Sequence, residues 1–336
     1  MTSNMLKPKG KSLLSFRIRY AARYLVRSIA GLAHDFWKDG GHDKPEKRPA
    51  GHPGRAAQAA HPSEAGAVPH AHPLVDPRQM VVNADGLWQA RAGEISEHMW
   101  GQGNVTPGDD QITEKMIRPL GLTREMSVLD LSAGLGGRIR KTADEYGVYL
   151  VGMEPDPGVA ARAHEISVAT GLSRKAAIAP YDPMNLSVSH AHDAVLMRET
   201  IYRVADKEKF VKSIVTACKP KAQISFTDYV INPECRESPA IVAWRAMEPG
   251  ADPISLVEMA ELWARAGMSL RVHDDLTDFY KKEVMAGMGR FAKFMASGVR
   301  PDAVTKKAID KRITTWAHRV AAIDAGMKFY RFYGSR

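Results

Sequence analysis

Val128-Leu129-Asp130-Leu131-Ser132-Ala133-Gly134-Leu135-Gly136-Gly137 is a short apolar run that meets an acid and passes directly into a turn of small residues. An apolar run of this length, bounded by a glycine cluster, reads as a buried strand. The pattern over residues 136–146 is helical, so the turn joins a strand to a helix. Small residues let the backbone approach a ligand closely, and a helix N-terminus presents unpaired N–H groups. The full G-x-G-x-x-G spacing of a dinucleotide fold is missing, so the turn alone leaves the ligand open. A second strand over residues 148–153 leads into Gly152-Met153-Glu154-Pro155-Asp156 and puts Glu154 twenty residues beyond Gly134. An acid there accepts hydrogen bonds from both hydroxyls of a ribose.

Outward from this pair, strand-like and helix-like runs alternate. Helix is expected over 158–170, strand over 176–179 and 194–197, helix over 207–218, and a fifth strand over 223–230. Helices over 255–266, 278–297 and 301–325 follow, and the aromatic run 327–333 reads as a last strand. Such alternation predicts a parallel sheet flanked by helices. No internal repeat is present.

The 336 residues carry 47 Lys+Arg against 38 Asp+Glu, a net charge of +9. Residues 1–38 hold eight of those bases and one of the acids, so a tail of net +7 precedes a nearly neutral body. Leu14, Ile18, Ala21, Leu25, Ile29, Leu32 and Phe36 recur at steps of three and four, with Arg19, Arg23 and Arg27 opposite. Residues 12–37 therefore read as one amphipathic helix. An anionic membrane surface suits this pattern; docking on the chain's own body or on a partner is the second reading, and nucleic acid is the least favoured because no reader motif accompanies the charge. Residues 39–82, with seven prolines, five glycines and five of the twelve histidines, read as a disordered linker. The globular part is expected over 83–336. Cys218 and Cys235 match no CxxC spacing, which suits structural thiols in a reduced cytosol, and no metal site is expected. No apolar run approaches the ~20 residues of a spanning helix, and Arg17 and Arg19 interrupt the only early apolar cluster, which excludes a signal peptide. Location is expected to be cytoplasmic, with a peripheral place on the inner face of a membrane if the tail binds lipid.

Over roughly residues 126–232 the sequence resembles the class I S-adenosylmethionine-dependent methyltransferases. The resemblance implies a Rossmann-like α/β fold with a seven-stranded, mostly parallel sheet, and S-adenosylmethionine as cofactor. It implies cofactor contacts at Asp130, Ser132, Ala133, Gly134 and Gly136 in the turn, at Glu154 and Pro155 after strand two, and at Asp182 after strand three. Ser132 stands where the family's leading turn glycine is usual, and Glu154 replaces its usual aspartate. A narrower resemblance, to the phosphoethanolamine and sarcosine/dimethylglycine N-methyltransferases, runs from about residue 95 to the C-terminus. It is carried by Trp100-Gly101-Gln102-Gly103-Asn104-Val105-Thr106-Pro107-Gly108, Leu135-Gly136-Gly137, Thr227-Asp228-Tyr229, Glu258-Met259, Leu276-Thr277-Asp278 and the Phe329 to Tyr333 terminus. By this alignment Val105, Thr106 and Arg198 also touch the cofactor. Residues 83–125 and 233–325 then supply lid and acceptor elements, and 326–334 the last strand.

The departures are as informative. The tyrosine and histidine that those enzymes place around the amine fall on Trp88 (or nearby Ser96) and on Arg203, and neither Trp nor Arg accepts a proton near neutral pH. Of their phosphate-binding residues, Tyr229 and Arg245 match, whereas Met247 and Gly326 stand near the other two. Methyl transfer needs alignment and exclusion of water more than acid–base chemistry, but an ammonium acceptor must lose a proton first. The candidates for that step are Glu199, Tyr202, Asp228 and Tyr229, at the carboxyl edge of the sheet where strands four and five end. Arg203 and Arg245 are candidates for an anionic group of the acceptor, and Trp88 and Trp100 for an aromatic wall beside a cation. Trp244, Trp263 and Trp316 read as packing residues, and His190 and His192 as loop residues away from the reaction. The expected function is methyl transfer to a small amine or lipid-headgroup-type acceptor; the alternatives are a catalytically silent methyltransferase-like module and a nucleic-acid methyltransferase guided by the basic tail.

Overall fold

The computed structural model describes residues 79–188 and 191–336; the basic segment, the 12–37 stripe, most of the linker and His190 lie outside them. Two short helices, α1 (Glu94–Trp100) and α2 (Asp109–Ile117), precede β1 (Ser127–Asp130). Then follow α3 (Gly137–Tyr146), β2 (Tyr149–Glu154), α4 (Pro157–Ala169), β3 (Ala176–Pro180), β4 (His192–Arg198), α5 (Lys207–Ala217) and β5 (Cys218–Ile231). The chain closes with α6 (Pro239–Met247), α7 (Leu256–Arg265), β6 (Ser269–Asp275), α8 (Thr277–Ala296), α9 (Ala303–Asp324) and β7 (Met327–Ser335). The sheet order is β3-β2-β1-β4-β5-β7-β6. β1 to β5 run parallel, and β7 is antiparallel to both β5 and β6.

Strand alternation builds two apolar layers. On one face Val128, Leu150, Ala194 and Leu196 pack with Ile139 and Ala143 of α3, Ala163 of α4 and the aromatic residues of α6, α8 and α9. On the other, Leu129, Val195, Ile224 and Phe226 pack with Phe210 and Ile214 of α5 and Met259 and Trp263 of α7. The crossover from β3 to β4 is the exception. Among the described residues it contains only the 3-10 turn Pro183–Asn185, so no described helix covers the second face of β2 and Tyr149 is 61% exposed. Reversal of the order at β1 and β4 leaves a crevice at their carboxyl ends, the usual ligand position in such sheets.

The strands and helices expected from about residue 126 onward all appear, with ends shifted by a few residues. Four elements were not located in the sequence. α1 and α2 sit in the segment taken as a lid, α6 follows Ser238-Pro239, and β6 alternates only Leu270 and Val272 among charged or polar residues, as suits an edge strand. Val81 and Val82, placed in the linker by composition, belong to the folded body: Gln89 N donates to Val81 O at 2.9 Å, and Val82 bridges Trp88. No described helix is long and apolar enough to cross a membrane.

Candidate active site

The turn after β1 is held from behind by a buried ion pair. Asp130 is fully buried and receives Arg138 in a fork, Nε to Oδ2 at 3.0 Å and Nη2 to Oδ1 at 2.9 Å. Its Oδ1 also accepts the Ser132 N–H at 2.9 Å and the Ser132 hydroxyl at 3.0 Å. The Ser132 oxygen in turn accepts the Arg198 N–H at 2.8 Å, which ties the turn to the end of β4. The hydroxyl that replaces the turn's first glycine is therefore a brace between strands.

Gly134, at φ 56°, donates its N–H to Glu154 Oε2 at 2.8 Å, and Asp156 donates its own to Glu154 Oε1 at 3.0 Å. Burial raises the Glu154 carboxyl above its ordinary value, against the lowering by those two amides. Gly137 serves a closer approach. Its N–H donates to Gly103 O at 3.0 Å, and a Cβ on Gly137 would stand 2.9 Å from the Gly103 backbone. Backbone cannot yield as a flexible side chain does, so the α1–α2 connection is clamped against the turn by two glycines.

A cavity of about 410 Å³ opens at the carboxyl ends of β1, β2 and β4. Val105 and Thr106 cover it, Leu131 and Ser132 floor it, Glu154, Pro155 and Asp156 form one side, and Arg198, Glu199, Thr200 and Arg203 form the other. Arg198 is 2% exposed. Its Nη2 donates to Pro107 O, whereas Nε and Nη1 have no partner. Burial, reinforced by the like charge of Arg138, lowers its pKa to about 10. A buried guanidinium with two unsatisfied donors is costly unless an anion completes it.

Beyond Glu199 lies a second set of buried polar groups. Glu199 adopts φ 52°, in the left-handed region, and accepts the Tyr280 hydroxyl at 2.8 Å and Arg319 Nη1 at 3.2 Å. Tyr229 and Tyr280 share a hydrogen bond of 2.7 Å. Burial raises both phenols well above their ordinary value. Glu248 accepts Arg203 Nη2 at 2.9 Å and Arg319 Nε at 3.0 Å. Burial would raise the Glu248 carboxyl, but the Arg319 and Arg203 guanidiniums outweigh it and hold the pKa at about 2.

No family model matches the chain. Phosphoethanolamine N-methyltransferase 1 of Zea mays is 24% identical over 59% of this chain and 39% of its own length. Among solved structures, phosphoethanolamine N-methyltransferase 2 of Haemonchus contortus, in complex with phosphomonomethylethanolamine and S-adenosylhomocysteine, superposes with a TM-score of 0.63 at 18% identity, over 72% of this chain and 56% of that one. A putative sarcosine dimethylglycine methyltransferase of Galdieria sulphuraria gives 0.61 at 14% identity, over 72% and 97%. This is the fold of the class I S-adenosylmethionine-dependent methyltransferases. The chain spans under half the length of the first curated relatives it matches.

Within the methyltransferase fold, the residues expected to touch a cofactor, Asp182 apart, divide into two groups. Val105, Thr106, Ser132, Glu154, Pro155 and Arg198 line the cavity. Asp130, Ala133, Gly134 and Gly136 shape it from behind: Ala133 N donates to Met153 O at 3.0 Å, and a Cβ on Gly136 would meet Ile178 at 2.3 Å. Asp182 is exposed and caps its own turn, accepting Met184 N at 2.9 Å. Pro183 and Met184 line the cavity in its place.

Of the four residues considered for proton transfer, Glu199 alone lines the cavity. Tyr202 and Tyr229 are fully buried and their phenols are raised by burial, so at neutral pH they donate hydrogen bonds and do not accept protons. Asp228 lies under the wall, accepting N–H groups from Ile201 at 2.6 Å, Thr200 at 3.2 Å and Tyr229 at 2.8 Å. Burial raises its carboxyl to about 7 against those amides. A raised carboxyl binds a proton in the folded state before the unfolded one, so this group's stabilisation is complete below pH about 4 and is lost as pH rises through about 7. The melting-temperature advantage of wild type over Asp228→Asn is therefore expected to shrink between pH 5 and 7; a gap that widens over that range contradicts the assignment.

Packing corrects both tryptophans offered as an aromatic wall. Trp88 is 1% exposed, donates its indole N–H to Glu94 Oε1 at 3.1 Å and meets Phe294 edge-on. Trp100 is fully buried against Trp316. Both lid tryptophans are core residues, because β-bridge and helix contacts leave them no opening. Arg245 lies on a different surface groove, with Nη2 3.4 Å from Asp252 Oδ1. Arg203 lines the cavity. Trp244, Trp263 and Trp316 are buried, and His192 is buried at the start of β4, 3.0 Å from Ser127 Oγ. Asp156, Val204 and Ala205 were missed in the sequence, as was Arg319, which follows Trp316 by one helical turn and carries no motif.

Proposed function

We propose that the chain is an S-adenosylmethionine-dependent methyltransferase acting on a small amine or lipid-headgroup-type acceptor. The observation that carries this reading is Arg198, a buried guanidinium lining the cavity with two unpartnered nitrogens. The residues present fit the cofactor's three polar parts. A carboxylate of the amino-acid part would complete Arg198. Glu154 keeps lone pairs for ribose hydroxyls after accepting Gly134 and Asp156. Pro183 and Met184 present a flat apolar edge to a base.

When bound, the cofactor supplies an electrophilic methyl group on a sulfonium. The chain's own residues orient and dry the site: Val105 and Thr106 cover it, and Ser132, braced by Asp130, fixes the β1 end against β4. To Glu199, directly after β4 and lining the cavity, we assign the proton that an ammonium acceptor must lose before it attacks. Isothermal titration with S-adenosylmethionine, followed by a radiolabelled methyl screen over amines, lipid extracts and nucleic acid, tests the reading. Saturable binding with transfer to an amine or headgroup is expected; absence of cofactor binding sinks it.

A place at an anionic membrane surface through residues 12–37 is proposed from the sequence pattern. Flotation of the full chain on anionic vesicles should exceed that of a chain starting at Gln79, and equal flotation removes the role.

A further inference from the structure

We propose that Arg319 is a built-in occupant of a cage for organic cations, and that it thereby determines which acceptors the chain admits. The inference rests on the reading of the adjoining cavity as the place of methyl transfer, because Glu199 lines that cavity and also binds Arg319.

Arg319 comes from α9 and is 3% exposed. Its fork lies between two carboxylates: Nη1 donates to Glu199 at 3.2 Å, Nε to Glu248 at 3.0 Å, and Nη2 to the second Glu248 oxygen. The phenol oxygens of Tyr202 and Tyr229 accept at 3.2 and 3.4 Å. The guanidinium carbon stands 4.3 Å from the Trp316 ring centre and 5.4 Å from that of Tyr229. Paired carboxylates with aromatic faces are the chemistry that recognises substituted ammonium and guanidinium groups. Here the chain's own cation fills the place, so a free small cation meets an occupied site.

The cage is not sealed. Arg319 is part of the wall of a further cavity of about 440 Å³, with Met247, Lys311, Arg312 and Thr315. Burial and the like charges of Arg319 and Arg203 lower the pKa of Arg312, so an added cation is opposed there while Arg319 is in place. Loss of the Arg319 side chain would join cage and cavity, leave Glu199 without its ion-pair partner and leave Glu248 with Arg203 alone. A purely structural ion network predicts only that truncation destabilises; an occupied cage predicts that truncation also creates a receptor.

The test uses the full chain, wild type and Arg319→Ala, titrated with methylguanidinium and with tetramethylammonium by calorimetry and by melting temperature. Wild type should show no saturable binding of either in the millimolar range. The variant should melt lower, bind one cation per chain and regain part of its melting temperature. If Arg319→Ala does not fold, Arg319→Ala with Glu248→Gln removes one of the two carboxylates that the fork bridged and is titrated in the same way. A folded variant that binds neither cation, or a wild type that binds them as well as the variant does, overturns the proposal. Cofactor binding is read in a separate titration, so a chain that captures the cation but not S-adenosylmethionine refutes the methyltransferase reading and the selection of acceptors with it, and leaves the occupied cage standing.

Discussion

Glu154→Ala is expected to weaken S-adenosylmethionine binding by at least about a hundredfold while leaving the fold intact. Hydrogen bonds to a charged group contribute about 1.5–3 kcal/mol each, and two ribose hydroxyls on one carboxylate reach that loss together. The substitution also frees the Gly134 N–H, which Glu154 holds at 2.8 Å, so the turn loses its set position as well as its acceptor. The side chain lies at the cavity wall and not in the apolar layers, which is why the melting temperature should move by only a few degrees. Calorimetry on the variant decides the matter: affinity within about threefold of wild type would take the ribose away from Glu154.

Arg138→Met should act in the opposite way, on stability first. The substitution leaves Asp130, fully buried, with a carboxylate facing only the Ser132 groups. Breaking one side of a buried ion pair costs about 3–5 kcal/mol. For a body of this size each kcal/mol moves the melting point by about 2–4 °C, so a fall of roughly 6–20 °C is expected in a thermal scan. Arg138→Met combined with Asp130→Asn removes the stranded charge and should recover part of the loss. If the double variant melts below the single one, the pair is not the source of the effect.

The fold was legible because its signals are local and periodic. The strand–turn–helix at 128–146 and the acid at 154 announce the first half of the sheet, and the second strand stops within a residue of its expected end. The edge strand β6 was not legible, since its residues are charged and only two of seven are apolar. The site was legible in part for the same reason. Glu154 and the turn follow from spacing along the chain, whereas Asp228 and Tyr229 owe their surroundings to elements far away in sequence. Arg319 lies 120 residues from Glu199, and nothing in its own neighbourhood marks it. The two lid tryptophans misled because a large aromatic residue in a lid and one in a core have the same letter; only packing against Phe294 and Trp316 tells them apart.

The short stretch between Gly103 and Gly108 is fastened at both ends, by Gly137 at one and by the Arg198 contact with Pro107 at the other. The same guanidinium that holds the cover has the two idle donors beneath it. Anything that orders Arg198 from below therefore also tightens the cover from above, and the coupling must work equally in both directions. A molecule with an anionic group to offer those donors is therefore expected to stiffen this stretch as it binds, and one without it to leave the stretch as it is.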